Sequence, residues 1–301
     1  MTTLPIFATL QPLEKVSVYT PLGIRFWDVA GDVAVTDSLE VTARAPDQPG
    51  RHRVAFRTLS GVYAFRNLPG LRELETADPN LPAGAHPLPT SPPQSHPFII
   101  EVNDRRGRFL PVTFQVELPY RGIYPTQDAG GSPPGSGLPG FFLFSAPSRA
   151  LGAGLAVVRA QLVERRASGE LRPAGHAVLE VLAPGQPKWI GLADERGSVA
   201  VVFPYPRFTT SVGPLSPPPS PIGPRVQSWD ITIRARYLPA GQTKPDSVAS
   251  LPDLGSILTQ PAADLWPSMS GPGQAELNVQ LRFGQPLILQ TAGTSELWIE
   301  T

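Results

Sequence analysis

Apolar residues alternate with polar ones in short runs along most of the chain, and this period-2 pattern predicts β-strands far more often than helices. Leu39, Val41 and Ala43 alternate with Glu40, Thr42 and Arg44, as in a strand with one buried face. Short extended segments are predicted at Lys15 to Tyr19 and Gly23 to Asp28, and a hairpin at Arg53 to Leu59 and Val62 to Leu68, turning at Ser60-Gly61. Strands at Phe98 to Asn103 and Arg108 to Leu118 follow. Further along, Phe141 to Ser145, Leu155 to Glu164, Ala177 to Leu182, Trp189 to Leu192, Val199 to Phe203 and Trp229 to Tyr237 read the same way. Helical spacing occurs once, in residues 248–266, where Leu251, Leu254, Ile257 and Leu258 recur and Pro252 suits a first turn. The end of the chain alternates again in Leu277, Val279, Leu281 and Phe283, then carries Leu287-Ile288-Leu289 and Leu297-Trp298-Ile299.

One phrase occurs twice. Asp104-Arg105-Arg106-Gly107 and Asp194-Glu195-Arg196-Gly197 each lead from an acidic turn through glycine into an apolar strand. The repetition predicts two related β-modules. Three stretches rich in proline, glycine or serine punctuate them: 76–97, 125–140 and 213–224. The expected organisation is a first module over 1–124 carrying the loop 76–97, and a linker at 125–140. A second module over 141–240 carries the loop 213–224, and 241–301 supplies a short helix and a C-terminal β-hairpin tail. The expected fold class is all-β: two Greek-key β-sandwiches, transthyretin-like or immunoglobulin-like, with Pro/Gly-rich arms and at most one short helix.

Composition narrows the chemistry. With 301 residues the chain is long enough for more than one core, and its 38 prolines and 28 glycines belong in turns and arms. Twenty-five basic residues balance twenty-five acidic ones, so no overall field favours nucleic acid or an anionic membrane. Of the basic residues only Lys15, Lys188 and Lys244 are lysines, a bias that suits planar contacts and that a GC-rich genome also produces. The absence of cysteine excludes disulfides, thiolate metal sites and cysteine nucleophiles. No apolar run reaches the length of a membrane span and the first residues do not read as a signal peptide, so synthesis in the cytoplasm without membrane insertion is expected.

Candidate chemistry is sparse. His52, His86, His96 and His176 are scattered without metal-ligand spacing, and Ser60 and Ser145 lack the glycine frame of a nucleophile elbow. Ala129-Gly130-Gly131 and residues 152–156 lack the partners of a phosphate loop. Asp28, Asp32, Asp37, Asp104 and Asp194 are the carboxylates a fold could pair for catalysis, but aspartate beside glycine at a strand end is also the ordinary turn former. Arginine within the repeated phrases displaces an oxygen ligand that calcium would need. Trp27, Trp189, Trp229, Trp266 and Trp298 read mainly as packing residues, with a sugar-stacking platform as the alternative. No catalytic residue, cofactor or metal is read from the sequence.

Over residues 141–240, the turn Glu170 to Gly175, the strand Ala177 to Leu182, the Asp194 turn and the strand Val199 to Phe203 resemble the transthyretin-like or carboxypeptidase-regulatory-like β-sandwich. That resemblance implies a seven-stranded sandwich without catalysis of its own. Gly23 to Asp28, Gly61 to Phe65 with Leu68-Pro69-Gly70, and Gly107 to Pro111 resemble an accessory structural protein of contractile injection systems, the extracellular phage-tail-like particles. This second resemblance implies a non-enzymatic component at the cap, baseplate or surface. Such a component contacts other protein subunits, in a homo-oligomeric ring or otherwise, and leaves the cell within the assembled particle. The alternative is a carbohydrate or cell-surface binding sandwich.

Overall fold

A computed structural model describes residues 20–72, 95–118, 140–152, 154–166, 168–206 and 227–301. The extended segment expected at Lys15 to Tyr19, the loop 76–97 up to Gln94, the linker 125–140 apart from Gly140, and the loop 213–224 lie outside the described residues. His96 and Pro97, placed in a loop by composition, instead open a strand.

The first module contains ten strands among the described residues. They are β1 (Gly23–Ile24), β2 (Phe26–Asp28), β3 (Val33–Val35), β4 (Leu39–Arg44), β5 (His52–Val54), β6 (Phe56–Arg57), β7 (Tyr63–Ala64), β8 (His96–Asp104), β9 (Val112–Leu118) and β10 (Phe141–Leu143). Strands β5-β4-β8-β9 form an antiparallel sheet in that order, and two small sheets, β1-β7-β6 and β10-β2-β3, complete the module. Alternation explains the core: Val41 and Ala43 of β4, Phe98, Ile100 and Val102 of β8, and Phe114 and Val116 of β9 are all buried. Phe26 meets Phe141 edge-on at 5.7 Å, and Phe141 stacks on Phe114 at 4.4 Å.

This placement of Phe141 corrects the expected boundary. Strand β10 pairs in parallel with β2, Phe141 opposite Phe26, and Ser145 bridges to Phe109, so residues 141–145 close the first module. Composition marks where a chain can loop, whereas the apolar side chains of Phe141, Leu143 and Phe144 determine which core the next strand enters.

The second module contains β11 (Leu155–Arg165), β12 (Leu171–Pro173), β13 (Val178–Leu182), β14 (Trp189–Leu192), β15 (Ser198–Pro204), β16 (Ser228–Arg236), β17 (Ala262–Trp266), β18 (Leu277–Arg282), β19 (Leu287–Leu289) and β20 (Leu297–Glu300). Strand β11 is paired along its length: β15 and β19 flank its first half, β12 and β20 its second. On the other side β14, β13, β16 and β18 pair antiparallel in that order, and β17 joins β16 to β20. Leu162, Leu179, Phe203, Ile231, Leu265 and Leu297 fill the space between, and Trp189 stacks on Phe203 at 4.5 Å.

The described chain is thus nearly all β, as the alternation predicts. The tail is not a hairpin. Strand β18 extends one side of the second module, while β19 and β20 run parallel to β11, so 241–301 is integral to that core. The helix is shorter than its spacing suggests: α1 (Leu254–Leu258) is capped by Asp253, whose side chain accepts from Ser256 N at 3.2 Å, and residues 262–266 form β17.

Both repeated phrases fold into the same local turn. Asp104 accepts the N–H groups of Arg106 at 3.3 Å and Arg108 at 2.8 Å; Asp194 accepts those of Arg196 and Ser198, both at 2.9 Å. Gly107 and Gly197 have φ of 63° and 82°. The strands they join differ. Strands β8 and β9 are neighbours in one sheet, whereas β14 pairs with β13 and β15 crosses to β11. The repetition therefore encodes a turn used in two topological settings, rather than equivalent corners of duplicated modules.

Candidate functional site between the modules

The two modules share a core. Val178 and Leu192 of the second, with Leu254 and Ile257 of α1, are buried in the same cluster as Phe98, Phe114 and Phe141 of the first. Asp253 adds a polar seam by accepting from Gln115 N at 3.1 Å. Arg44, placed by alternation on the polar face of β4, is buried and pairs with Asp246, 202 residues away, and with Glu101 at 3.3 Å. Local pattern carries no signal for this pair, because its partner lies in a different module's sequence. Hydrogen bonding to Arg44 holds the Asp246 carboxyl below its ordinary 3.8, at about 2.

Where the modules meet, a cleft of about 390 Å³ lies between Leu110 and Pro111 on one side and His176 and the Asp194 turn on the other, with Leu251 beside it. Two turns build its polar wall. Gly175 packs so close to the Asp194 turn that a Cβ would stand 3.0 Å from Glu195 O, and His176 follows with φ of 60°, rare for a side-chain-bearing residue. Buried Gln260 secures this turn, donating to His176 O at 3.0 Å while accepting from Leu238 N at 2.8 Å. Burial pushes the His176 imidazole below its ordinary 6.5 against the opposing pull of Glu195 and Asp194, so the ring is neutral at neutral pH.

The cleft brings His176, Asp194 and Glu195 together, which scattered spacing did not foretell. Asp194 already accepts two backbone N–H groups, and the described lining offers no hydroxyl or thiol. This arrangement suits recognition of a polar group over nucleophilic attack.

The other candidate carboxylates lie at separate structural tasks. Asp28 accepts Ala30 N at 3.1 Å and pairs with Arg149, Asp32 accepts the Trp27 indole N–H at 3.2 Å, and Arg108 binds Asp37 and Asp104 together, each at 2.9 Å. Burial opposes ionisation of Asp104, but Arg108 and the turn N–H groups outweigh it and lower its pKa. Ser145 is buried and accepts from Arg149 at 2.9 Å, and Ser60 sits in the exposed hairpin turn with Thr58 at 3.0 Å. His52 is exposed on β5, His96 begins β8 against Gly70, and His86 lies outside the described residues. Among the described residues no group of three or more His, Asp or Glu could hold a metal ion.

The tryptophans pack. Trp189 is a core residue, and Trp229 stacks on Tyr205 at 5.2 Å. Arg165 lies 3.9 Å over the ring of Trp266 and 5.9 Å from that of Trp298, two cross-strand neighbours whose buried indole N–H groups find no acceptor among the described residues. An unpartnered buried donor costs about 1–3 kcal/mol, which offsets much of the area an indole buries beyond a phenyl ring. Trp266→Phe and Trp298→Phe are therefore each expected to shift stability by less than about 1 kcal/mol in urea titration.

No protein-family model matches the chain and no curated protein matches it. Among the described residues no helix is long and apolar enough to cross a membrane.

Acid should loosen the junction in two stages. A His176 pKa below its unfolded 6.5 contributes stability that is present above that value and declines as pH falls through it. Asp246, lowered from 3.8 to about 2, contributes stability that is full above 3.8 and lost as pH falls toward 2. Thermal melts across this range are expected to show both declines, with Asp246→Asn reducing the second, to which Asp104 also contributes, and His176→Gln removing the first.

Proposed function

We propose that this chain is a non-catalytic structural adaptor that docks onto neighbouring protein subunits of an assembled particle, at the cap, baseplate or surface of a contractile phage-tail-like assembly. The observation that carries the docking reading is the shared core: side chains from both modules and α1 pack in one cluster, with Arg44–Asp246 beside it. A body held this way transmits a fixed geometry between partners, which a flexible pair of sandwiches does not. The candidate carboxylates are engaged in turns and ion pairs, which supports the same reading. The phrases at Gly23 to Asp28, Gly61 to Phe65 and Gly107 to Pro111 supply the particle context. Intact particles purified from cells that encode the chain, analysed by quantitative mass spectrometry, are expected to contain it at a fixed ratio to their other subunits. Particles that assemble fully without it would contradict the proposal.

A further inference from the structure

The open edge of the first module gathers three arginines around one hollow. Of the described arginines elsewhere, Arg44, Arg105, Arg106, Arg108, Arg149, Arg166, Arg172, Arg234 and Arg236 pair with carboxylates, Arg57 and Arg159 donate to backbone carbonyls, and Arg66 and Arg165 lie over aromatic rings. Arg51, Arg53 and Arg72 form no ion pair among the described residues, yet they converge on one hollow of about 250 Å³ with Gln48 and Asn67. Two turns build it. The turn between β4 and β5 is closed by Gln48 N donating to Ala45 O at 3.0 Å and Arg51 N donating to Gln48 O at 2.9 Å; the other, 67–72, has Asn67 at φ of 57°. Strand β5 is the edge of its sheet, and Arg53 lies opposite Ala43, whose side chain enters the core, so the arginine overhangs the open end of the sandwich. No acid lines this hollow among the described residues, and Asp47 lines the adjoining one.

The backbone of β5 supplies a second half to this site. Ala55 N donates to Val41 O at 2.8 Å, and the antiparallel register pairs Arg53 with Ala43. By the alternation of such ladders, the N–H and C=O groups of His52 and Val54 point away from β4. Among the described residues no strand pairs with that outer edge, and His52, Arg53 and Val54 are all exposed. An added strand would present every second side chain to one face at a spacing of about 7 Å, matching the period of Arg51 and Arg53 along their own strand. Phosphate polyanions lack such backbone donors and acceptors.

We infer that the hollow lined by Arg51, Arg53 and Arg72 and the free edge of β5 together bind an extended acidic peptide segment of a protein partner, its carboxylates held by the guanidinium groups and its backbone added to the sheet. An acidic peptide deepens the docking reading, on which it rests only for the choice of a protein as ligand.

The test uses the full chain and a fluorescein-labelled, end-blocked hexapeptide alternating valine and glutamate, read by fluorescence anisotropy. Arg53→Ser with Arg72→Ser should weaken binding at least tenfold, and Val54→Pro, which removes one outward donor at a tolerated edge position, should weaken it similarly. Replacing Arg51, Arg53 and Arg72 by glutamate should abolish binding and confer affinity for the matching valine–lysine peptide. These side chains are at the surface, and melting temperatures read alongside identify any variant that loses binding through unfolding. Undetectable binding of the acidic peptide by the wild type would overturn the inference, as would affinity unchanged in either the arginine or the proline variant. Competition by inorganic tripolyphosphate or single-stranded DNA at lower concentration than the free peptide would also overturn it, assigning the hollow to phosphate polyanions. The isolated chain suffices, so a failure here leaves the particle assignment standing, and the reverse also holds.

Discussion

Gly197→Ala is expected to destabilise the protein by about 4 kcal/mol, whereas Gly107→Ala, at the same position of the same four-residue turn, should cost about 1 kcal/mol. Both glycines have positive φ, so both substitutions incur the left-handed penalty of about 1–2 kcal/mol. Their surroundings separate them. A Cβ at Gly107 meets nothing within 4 Å, while one at Gly197 would overlap Leu162 O and approach Ala174 N to 3.1 Å. Gly197 O also accepts from Leu162 N at 2.7 Å, so relieving the overlap would pull the turn from β11 and forfeit that bond. At about 2 °C per kcal/mol for one cooperative unit of this size, the two variants should differ by about 6 °C in melting temperature. Equal losses would mean that the Asp194 turn does not lie against β11.

Removing one partner of the buried ion pair is the other large perturbation. Arg44 is 7% exposed and holds Asp246 on the segment leading to α1. Asp246→Ala would leave the guanidinium with only Glu101, itself more exposed, and is expected to cost about 3 kcal/mol, near the lower end for a stranded buried charge. Asp246 also accepts Val248 N and Ala249 N at 3.1 and 2.7 Å, so Asp246→Asn keeps part of the turn and should cost less. Arg44→Met with Asp246→Leu should recover part of the loss, because apolar residues of similar volume avoid the desolvation of both charges. Urea titration of the three variants checks the order; an Asp246→Ala variant as stable as the wild type would remove the pair from the junction.

Much of the fold was legible because a half-buried strand announces itself. Alternation in Leu39 to Arg44 and Leu277 to Phe283 marked β4 and β18, and β-branched runs such as Val199 to Val202 marked β15. Assembly was less legible. Phe141 to Phe144 reads as a strand wherever it packs, and only the first module's core, with Phe26 and Phe114, decides where it goes. The helix spacing of Leu251 to Leu258 was real but short, because Pro261 follows it and the next alternating run, Ala263 and Leu265, had a sheet to join. At the junction cleft, Asp194 was recognisable as a turn former, but its proximity to His176 depends on the packing of two turns, which no spacing within either encodes. The arginine hollow was hidden for the same reason: Arg53 lies on strand β5 and Arg72 in the 67–72 turn, and a balanced total charge conceals a local excess.

Docking at one end of the molecule fixes the position of the other only when the two modules act as one rigid body. Differential scanning calorimetry of the wild-type chain at neutral pH tests this directly. The shared core around Leu192, Leu254 and Ile257 predicts one cooperative transition whose calorimetric and van't Hoff enthalpies agree. Two separate transitions, with Asp246→Ala leaving both unmoved, would contradict it.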